Sequence, residues 1–346
     1  MAPIATGCKN STTNHPLRLN NCVNILVFGK DGQLGKAFKA VFDQLPTSAN
    51  LQVTYLGRAE CDLSKEEQVL AQLNAVKPDL IINASAYTAV DKAETEIDLA
   101  YAVNAKAPEL IAQYAVENNS TFIHYSTDYV FDGAKDGFYV EADIRNPLGI
   151  YGKSKAAGEE AIEKVFANAS QGQFAIFRTS WVYGDGGNFI RTMLRLAKER
   201  EELKVIHDQH GVPTSAEWLT QVSLNLVLDS GWKLKQFPSG IYHAVPSGET
   251  TWHGLASFVV QTALKAGIEL KVKLEAIKPI PAVEYPLPAP RPMNSCMDSL
   301  KLRSALQNQA SKASNSYNDS QNMPNFPAWD GMVQEYVSKL ASKSLI

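Results

Sequence analysis

The chain reads as an α/β protein: a doubly wound, mostly parallel sheet with helices on both faces, followed by a smaller C-terminal lobe. Three observations predict it. Short runs rich in apolar and β-branched residues alternate with longer stretches of helical periodicity, the pattern of strands joined by crossover helices. A glycine-rich turn, GKDGQLG from Gly29 to Gly35, falls between the first such run and the first helical stretch. The chain has 346 residues, 45% of them hydrophobic, enough to bury a sizeable core divided between two lobes.

Residues 1–22 are polar, rich in Asn and Thr, and lack the continuous apolar stretch of a secretory signal, so they are expected to form a flexible extension. Strands are then predicted at 24–28, 51–56, 80–84, 121–125, 174–177 and 240–244. Helices are predicted at 33–45, 65–76, 99–117, 151–166 and 188–198. In such a sheet ligands bind at the carboxyl ends of the strands, and the residues of chemical interest fall at those ends.

At the end of the first strand, Gly29, Gly32, Gln33 and Leu34 form a turn into a helix. Small residues there let the backbone approach a pyrophosphate, whose charge is stabilised by free N–H groups and the positive helix end. Many glycine clusters are only turns or caps, and the motif gains weight from a second one, YGKSK, from Tyr151 to Lys155. Four residues apart on a helix, Tyr151 and Lys155 face the same side and together could form a proton donor. Tyrosine and lysine at that spacing are also the ordinary pattern of a half-buried aromatic beside a solvated charge.

The second strand ends at Gly57-Arg58, where dinucleotide-binding folds place the group that reads the adenosine ribose. A guanidinium there pairs with the 2′-phosphate of NADP, so Arg58 leans toward NADPH over NADH, although Glu60 lies nearby and a solvated loop arginine is the plain alternative. Asp62 and Leu63 are candidates for the adenine end, and Asp62 or Ser64 equally for capping the next helix. The third strand runs into Ser85, Ala86 and Tyr87, small enough at Ser85 and Ala86 for cofactor to pass close to the backbone. The fourth runs into Ser126, Thr127 and Asp128.

The net charge of -3 gives no electrostatic case for nucleic acid or an anionic membrane, and a small-molecule substrate is expected. No apolar run approaches the roughly 20 residues needed to cross a bilayer. Cys8, Cys22, Cys61 and Cys296 are scattered, with none of the close pairing of a zinc or redox site, consistent with a reduced, cytoplasmic setting. His207 and His210 lack a third ligand at a convincing spacing, and no metal site is assigned.

These motifs, in this order, resemble the extended short-chain dehydrogenase/reductase family, with its Rossmann-type cofactor domain. Within it the chain is similar to the dTDP-4-dehydrorhamnose reductases from about residue 24 to 303, then again around Pro327-Ala328-Trp329. The likeness is carried by FGKDGQLG, NASAYTAVDKAE, IHYSTDYVFDG, PLGIYGKSKAAGE, FRTSWVYG, TMLRLAKEREEL, DQHGVPTSA, TTWH and RPMNS. TAVDKAE and RTSWVY are far more specific than the glycine turn.

The resemblance implies NAD(P)H-dependent reduction of the C4 keto group of dTDP-4-dehydro-β-L-rhamnose, the last step of dTDP-L-rhamnose synthesis, for surface polysaccharide. It implies Tyr151 as proton donor, with Lys155 lowering its pKa and binding the nicotinamide ribose. Thr127 would polarise the keto oxygen, Asp128 lie beside the sugar, Tyr125 contact cofactor, Trp181 pack on substrate and Arg291 pair with its pyrophosphate. Related 4,6-dehydratases carry Glu after the aspartate, where this chain has Tyr129, which argues against dehydration. Some relatives form Mg2+-linked dimers through a glutamate two residues after the third glycine. Here that position is Ala37, so a metal-bridged homodimer is not expected, although a homodimer of another kind remains open.

The expected division is a cofactor domain over 23–183 and about 211–244, with a substrate lobe over about 184–210 and 245–346. A polar, Ser/Asn-rich stretch over about 307–325 is expected as a flexible insertion. Two other readings stand beside the reductase: a non-catalytic subunit resembling the regulatory β subunit of methionine adenosyltransferase, and a reductase or epimerase acting on another sugar nucleotide.

Overall fold

The computed structural model describes residues 22–46, 49–313 and 325–343. Along the chain come β1 (Val23–Phe28), α1 (Gln33–Phe42), β2 (Leu51–Leu56), α2 (Glu66–Val76) and β3 (Leu80–Asn83). A broken helical stretch follows: α3 (Val90–Ala93), α4 (Ile97–Tyr101), a π-helical turn at Ala102–Lys106 and α5 (Ala107–Glu117). Then come β4 (Thr121–Thr127), a short 3-10 turn at Asp128–Val130, α6 (Ile150–Phe166) and β5 (Gln173–Thr179). Beyond them lie β6 (Val182–Tyr183), α7 (Phe189–Glu199), β7 (Leu203–Ile206), β8 (His210–Gly211), β9 (Thr214–Ser215) and α8 (Ala216–Val227). The chain continues through β10 (Gly240–His243), β11 (Thr250–Thr251), α9 (Trp252–Lys265), β12 (Ile277–Ile280), α10 (Leu300–Ala313) and α11 (Trp329–Ser342).

Six strands form one wholly parallel sheet in the order β10-β5-β4-β3-β1-β2. Helices cover both faces, which is why β1 and β3–β5 read as continuous apolar runs rather than alternating ones. On one face Ile25, Val27, Ile123, Tyr125 and Phe177 pack against Phe38 of α1 and Leu219 and Val222 of α8. On the other, Leu26, Phe28, Ile81, Phe122 and Ile176 pack against Val69 and Leu73 of α2, Ile111 of α5 and Ile162 of α6. The chain leaves β1 to β2 on one side and returns to β3 on the other. This reversal opens a crevice at the carboxyl ends of β1 and β3, the position where doubly wound sheets bind ligands.

A third core, around Ile190, Leu194, Leu203, Val259 and Val337, joins α7, α9, α11 and β7 into a smaller unit beside the sheet. Two expectations need correcting. The stretch from 307 was read as a loop, but α10 runs to Ala313 before the described residues break off. Leu302, Ala305 and Leu306 of that helix also lie in the core of the large sheet, not in the smaller unit to which 245–346 was assigned. The apolar spacing at 302, 305 and 306 is helical and outweighs the polar composition around it. Most of the expected N-terminal extension (1–21) and of the expected insertion (314–324) lies outside the described residues. No helix among the described residues is long and apolar enough to cross a membrane.

Candidate active site

The glycine turn is built for close backbone approach. Gly29 has φ +89°, and a Cβ there would lie 2.8 Å from the backbone of Ala84 and Ser85. A Cβ on Gly35 would lie 2.1 Å from the Gly29 carbonyl oxygen, so the helix can start this close to the turn only with glycine. Gly32 caps α1 without a side-chain hydrogen bond. A backbone turn ahead of a ten-residue helix with no side chain over its N-terminus is the cradle a pyrophosphate requires.

Beside this turn lies a cleft of about 480 Å³, lined by Phe28, Gly29, Leu56, Gly57, Arg58, Cys61, Asp62, Leu63, Ser85, Ala86, Tyr87, Leu99 and Val103. It brings together seven of the expected cofactor residues from three strand ends. Gln33 and Leu34 lie elsewhere. The Gln33 amide donates to the Val182 carbonyl at 3.3 Å, and Leu34 is buried in the core. The Arg58 side chain is 77% exposed, 3.8 Å from Asp62, while neighbouring Lys30 is bound to Glu60 at 2.5 Å. Asp62 caps no helix: it accepts from the Ser64 N–H and hydroxyl in a local turn, and α2 starts after Lys65.

Asn104, which the sequence reading missed, holds the far wall. It sits in the π-helical turn, accepts from the Tyr87 N–H at 2.9 Å and donates to the Tyr87 carbonyl at 3.1 Å and the Ser154 hydroxyl at 3.0 Å. Its carbonyl oxygen would be 2.1 Å from a Cβ on Gly158, so α6 docks there only through glycine. Its signal was no more than a polar residue in an apolar helical stretch.

Tyr151 opens α6. The preceding carboxylate of Glu94 accepts from the Ile150 N–H at 2.8 Å, satisfying one of the helix's free donors. Asp91 accepts from Arg291 at 2.9 Å and from the Ala289 N–H at 3.1 Å. The two carboxylates of TAVDKAE therefore pin the start of α6 and the proline-rich loop to one place. The Tyr151 ring meets Tyr129 edge-on at 5.3 Å, and the Arg291 guanidinium stands 6.0 Å from the Tyr129 ring.

Thr127 and Asp128 lie at the end of β4, both buried. The Thr127 hydroxyl accepts from the Tyr129 N–H at 3.2 Å and donates to Asp128 Oδ1 at 2.8 Å, while Asp128 Oδ2 has no partner. Burial pushes the Asp128 carboxyl up to about 6, with Ser295 and Thr127 opposing the shift. Burial and the Asp128 charge push the Tyr151 phenol up to about 12, against a contact with Thr127 that lowers it.

Here the structure departs from expectation: the Tyr151 phenol is raised, not lowered. Lys155, though on the same helix, is fully buried and turned away. Its side-chain nitrogen lies 2.6 Å from the Tyr125 carbonyl and 3.1 Å from His124 Nε2. Tyr125 also departs from expectation, since its side chain points to the opposite face of the sheet and its hydroxyl donates to Ser223 at 2.7 Å. Strand alternation explains it: with His124 facing α6, Tyr125 must face α1 and α8. Only its carbonyl meets a residue of the expected site, accepting from Lys155.

Trp181 takes φ +47°, uncommon for a bulky residue, and its indole stacks on Trp252 at 3.6 Å. A Cβ on Gly211 would lie 2.5 Å from the same indole. Trp181 is thus clamped between Trp252 and Gly211 at the junction of the two units, half-buried. Among the described residues no group of three or more His, Cys, Asp or Glu is placed to hold a metal ion.

The family model described as the RmlD substrate binding domain matches residues 23–320. The chain is 44% identical over 288 residues to the dTDP-4-dehydrorhamnose reductase of Escherichia coli K12, covering 81% of this chain and 91% of that protein. Among solved structures it is similar to a Clostridium acetobutylicum dTDP-4-dehydrorhamnose reductase (32% identity, TM-score 0.75, 91% of this chain and 99% of that one). It is also similar to the Bacillus anthracis dTDP-4-dehydrorhamnose reductase solved in complex with NADP (29% identity, TM-score 0.74, 92% and 99%).

Proposed function

The chain belongs to the RmlD substrate binding domain family, and from that membership we infer that it reduces the C4 keto group of dTDP-4-dehydro-β-L-rhamnose to dTDP-β-L-rhamnose. It is an NAD(P)H-dependent oxidoreductase acting at the last step of dTDP-L-rhamnose synthesis. The observation that carries the reading is a single rim holding both the glycine cradle at Gly29 and the Tyr151–Thr127 pair, at the carboxyl ends of parallel strands.

The turn from Gly29 to Leu34 and the cleft from Gly57 to Tyr87 would hold the cofactor, and the fit is favourable because Gly32, at the N-terminus of α1, has no side-chain cap and a Cβ there would meet only the Gly29 carbonyl oxygen at 3.4 Å. When bound, the dihydronicotinamide supplies the hydride that reaches C4 of the sugar. Tyr151 donates its phenolic proton to the keto oxygen. With its pKa held near 12, the phenol keeps that proton across the neutral range until charge develops on the oxygen. Thr127, whose one hydroxyl proton is held by Asp128 Oδ1 in the substrate-free site, turns that proton to the same oxygen, Asp128 receives a sugar hydroxyl on its unpartnered Oδ2, and Lys155 binds the ribose and offsets charge on the Tyr151 phenolate. Arg291, on the loop facing Tyr129, is assigned to the substrate pyrophosphate, and Trp181 to the wall of the substrate cleft. NADPH is the preferred coenzyme on this reading, because Arg58 projects into solvent beside the cleft while Glu60 is occupied by Lys30.

NADPH oxidation by purified protein with dTDP-4-dehydro-L-rhamnose, beside a GDP-linked 4-keto sugar, tests the proposal. Turnover with the dTDP sugar is expected. Bound cofactor with no turnover on either sugar would favour the non-catalytic binding subunit, and turnover confined to the GDP sugar would overturn the substrate assignment.

A further inference from the structure

We propose that His124 is a positioning residue that holds Lys155 as an uncharged amine, drawn back from the cleft, so that cofactor binding releases the lysine and takes up one proton. The inference rests on the reading of Lys155 as the ribose-binding lysine. It is carried by a count of donors and acceptors along one buried row that crosses β3, β4 and α6.

The row begins where the Ser85 N–H donates to Asn83 Oδ1 at 3.2 Å, which orients the Asn83 amide. Its Nδ2 then faces His124 Nδ1 at 3.2 Å, so Nδ1 must accept. A neutral imidazole that accepts at Nδ1 carries its proton at Nε2. That Nε2 stands 3.1 Å from Lys155 Nζ, which also donates to the Tyr125 carbonyl at 2.6 Å. An ammonium has three donors and no lone pair, and would meet the Nε2–H donor to donor. An amine accepts from Nε2–H and still donates to Tyr125. Reversing the Asn83 amide only moves the clash, because its NH2 would then oppose the Ser85 N–H. With Lys155 charged, one contact between two donors is forced, either the buried one between His124 and Lys155 or the partly buried one between Asn83 and Ser85; with Lys155 neutral, every group in the row is paired.

The surroundings agree. Asn83, His124 and Lys155 are all 1% exposed or less, so water cannot relieve a mismatch. Burial, with Lys155 second, keeps the imidazole pKa well below its usual value, so it carries a single N–H at neutral pH. Burial lowers the Lys155 amine to about 8, and Glu159 opposes the shift. The titratable groups acting on Lys155 are Glu159 from its own helix and His124 from β4. Glu159 is itself held by Arg178 of β5 at 2.6 Å and by Arg145 at 2.9 Å, so its charge is largely spent on them. Binding therefore runs from enzyme amine, cofactor and one solvent proton to enzyme ammonium with cofactor bound. No other bond forms or breaks. Above the amine's value of about 8, the charge needed beside Tyr151 arrives only when cofactor is in place.

Isothermal titration calorimetry of NADPH binding, run near pH 8.5 in buffers of different ionisation enthalpy, reads the proton directly. The wild type is expected to take up about three-quarters of a proton per NADPH, because an amine at about 8 is mostly but not wholly deprotonated at that pH. His124→Phe, which keeps an aromatic ring against Phe122, should lose at least half of that uptake. Asn83→Asp should lose it too: its carboxylate draws the imidazole proton to Nδ1 and leaves Nε2 as an acceptor for the ammonium. A role for His124 in packing alone would leave the proton count unchanged. Wild-type binding without proton uptake would overturn this proposal alone, as would undiminished uptake in the folded variants. Absence of any NADPH binding would overturn the ribose-lysine reading with it.

Discussion

At the end of β4, Asp128 combines full burial with an unpartnered oxygen, and burial raises its carboxyl to about 6. A folded-state value above the unfolded one means that the folded protein binds the extra proton, so stability is present at low pH and is lost as pH rises from about 4 through 6. Asp128→Asn should therefore raise thermal stability at pH 7.5 by about 2–3 kcal/mol, with little gain at pH 4, as followed by calorimetric unfolding. The same variant should weaken substrate binding. Thr127→Val removes a neutral donor from the keto oxygen and should lower kcat about 100-fold with cofactor affinity retained. At this scale the sequence was legible as to position: Gly29, Arg58, Thr127 and Asp128 lie at or just beyond the strand ends where residue type marked them. It was not legible at Tyr125, because which face a residue takes in a doubly covered strand leaves no trace in an all-apolar run. His124 and Asn104 were hidden for a related reason: a lone polar residue in an apolar run gives no sign of its partner.

Helix α6 carries Tyr151 at its start, Lys155 one turn on and Glu159 a turn further. Glu159 anchors the helix to the sheet through paired hydrogen bonds from Arg178 at 2.9 and 2.6 Å, inside a fully buried pair. Removing Arg178 leaves the buried Glu159 with only the Arg145 ion pair at 2.9 Å, at a cost of up to about 3–5 kcal/mol. Arg178→Met should accordingly lower the midpoint of urea unfolding sharply, and more than Arg195→Met, whose exposed pairing with Glu199 is worth under about 1 kcal/mol. Elements with strong periodicity were read closely: the helix expected over 151–166 is observed at Ile150–Phe166, and the strand expected at 51–56 is Leu51–Leu56. The helix expected over 99–117 instead starts at Ile97 and contains a π-helical turn, which the sequence cannot signal because the extra residue is accommodated to place Asn104. The strands expected at 121–125 and 174–177 each run two residues further, to Thr127 and Thr179.

For the whole molecule, the parallel sheet and its switch point follow from strand and helix alternation, but the assignment of α10 to the large sheet does not, since it is a long-range contact made after the chain has left the domain. Coenzyme choice belongs to this scale because it is set across three strand ends. Arg58→Ala should reduce kcat/KM for NADPH about tenfold and leave NADH nearly unchanged, measured as the ratio of the two coenzymes. The proton donor is the centre of the account, since sheet, glycine cradle and α6 all converge on Tyr151. The most direct test is NADPH oxidation with dTDP-4-dehydro-L-rhamnose by Tyr151→Phe beside the wild type, with NADPH binding measured on both. The account predicts equal cofactor affinity and a fall in kcat of at least about 100-fold; wild-type turnover in Tyr151→Phe would contradict it.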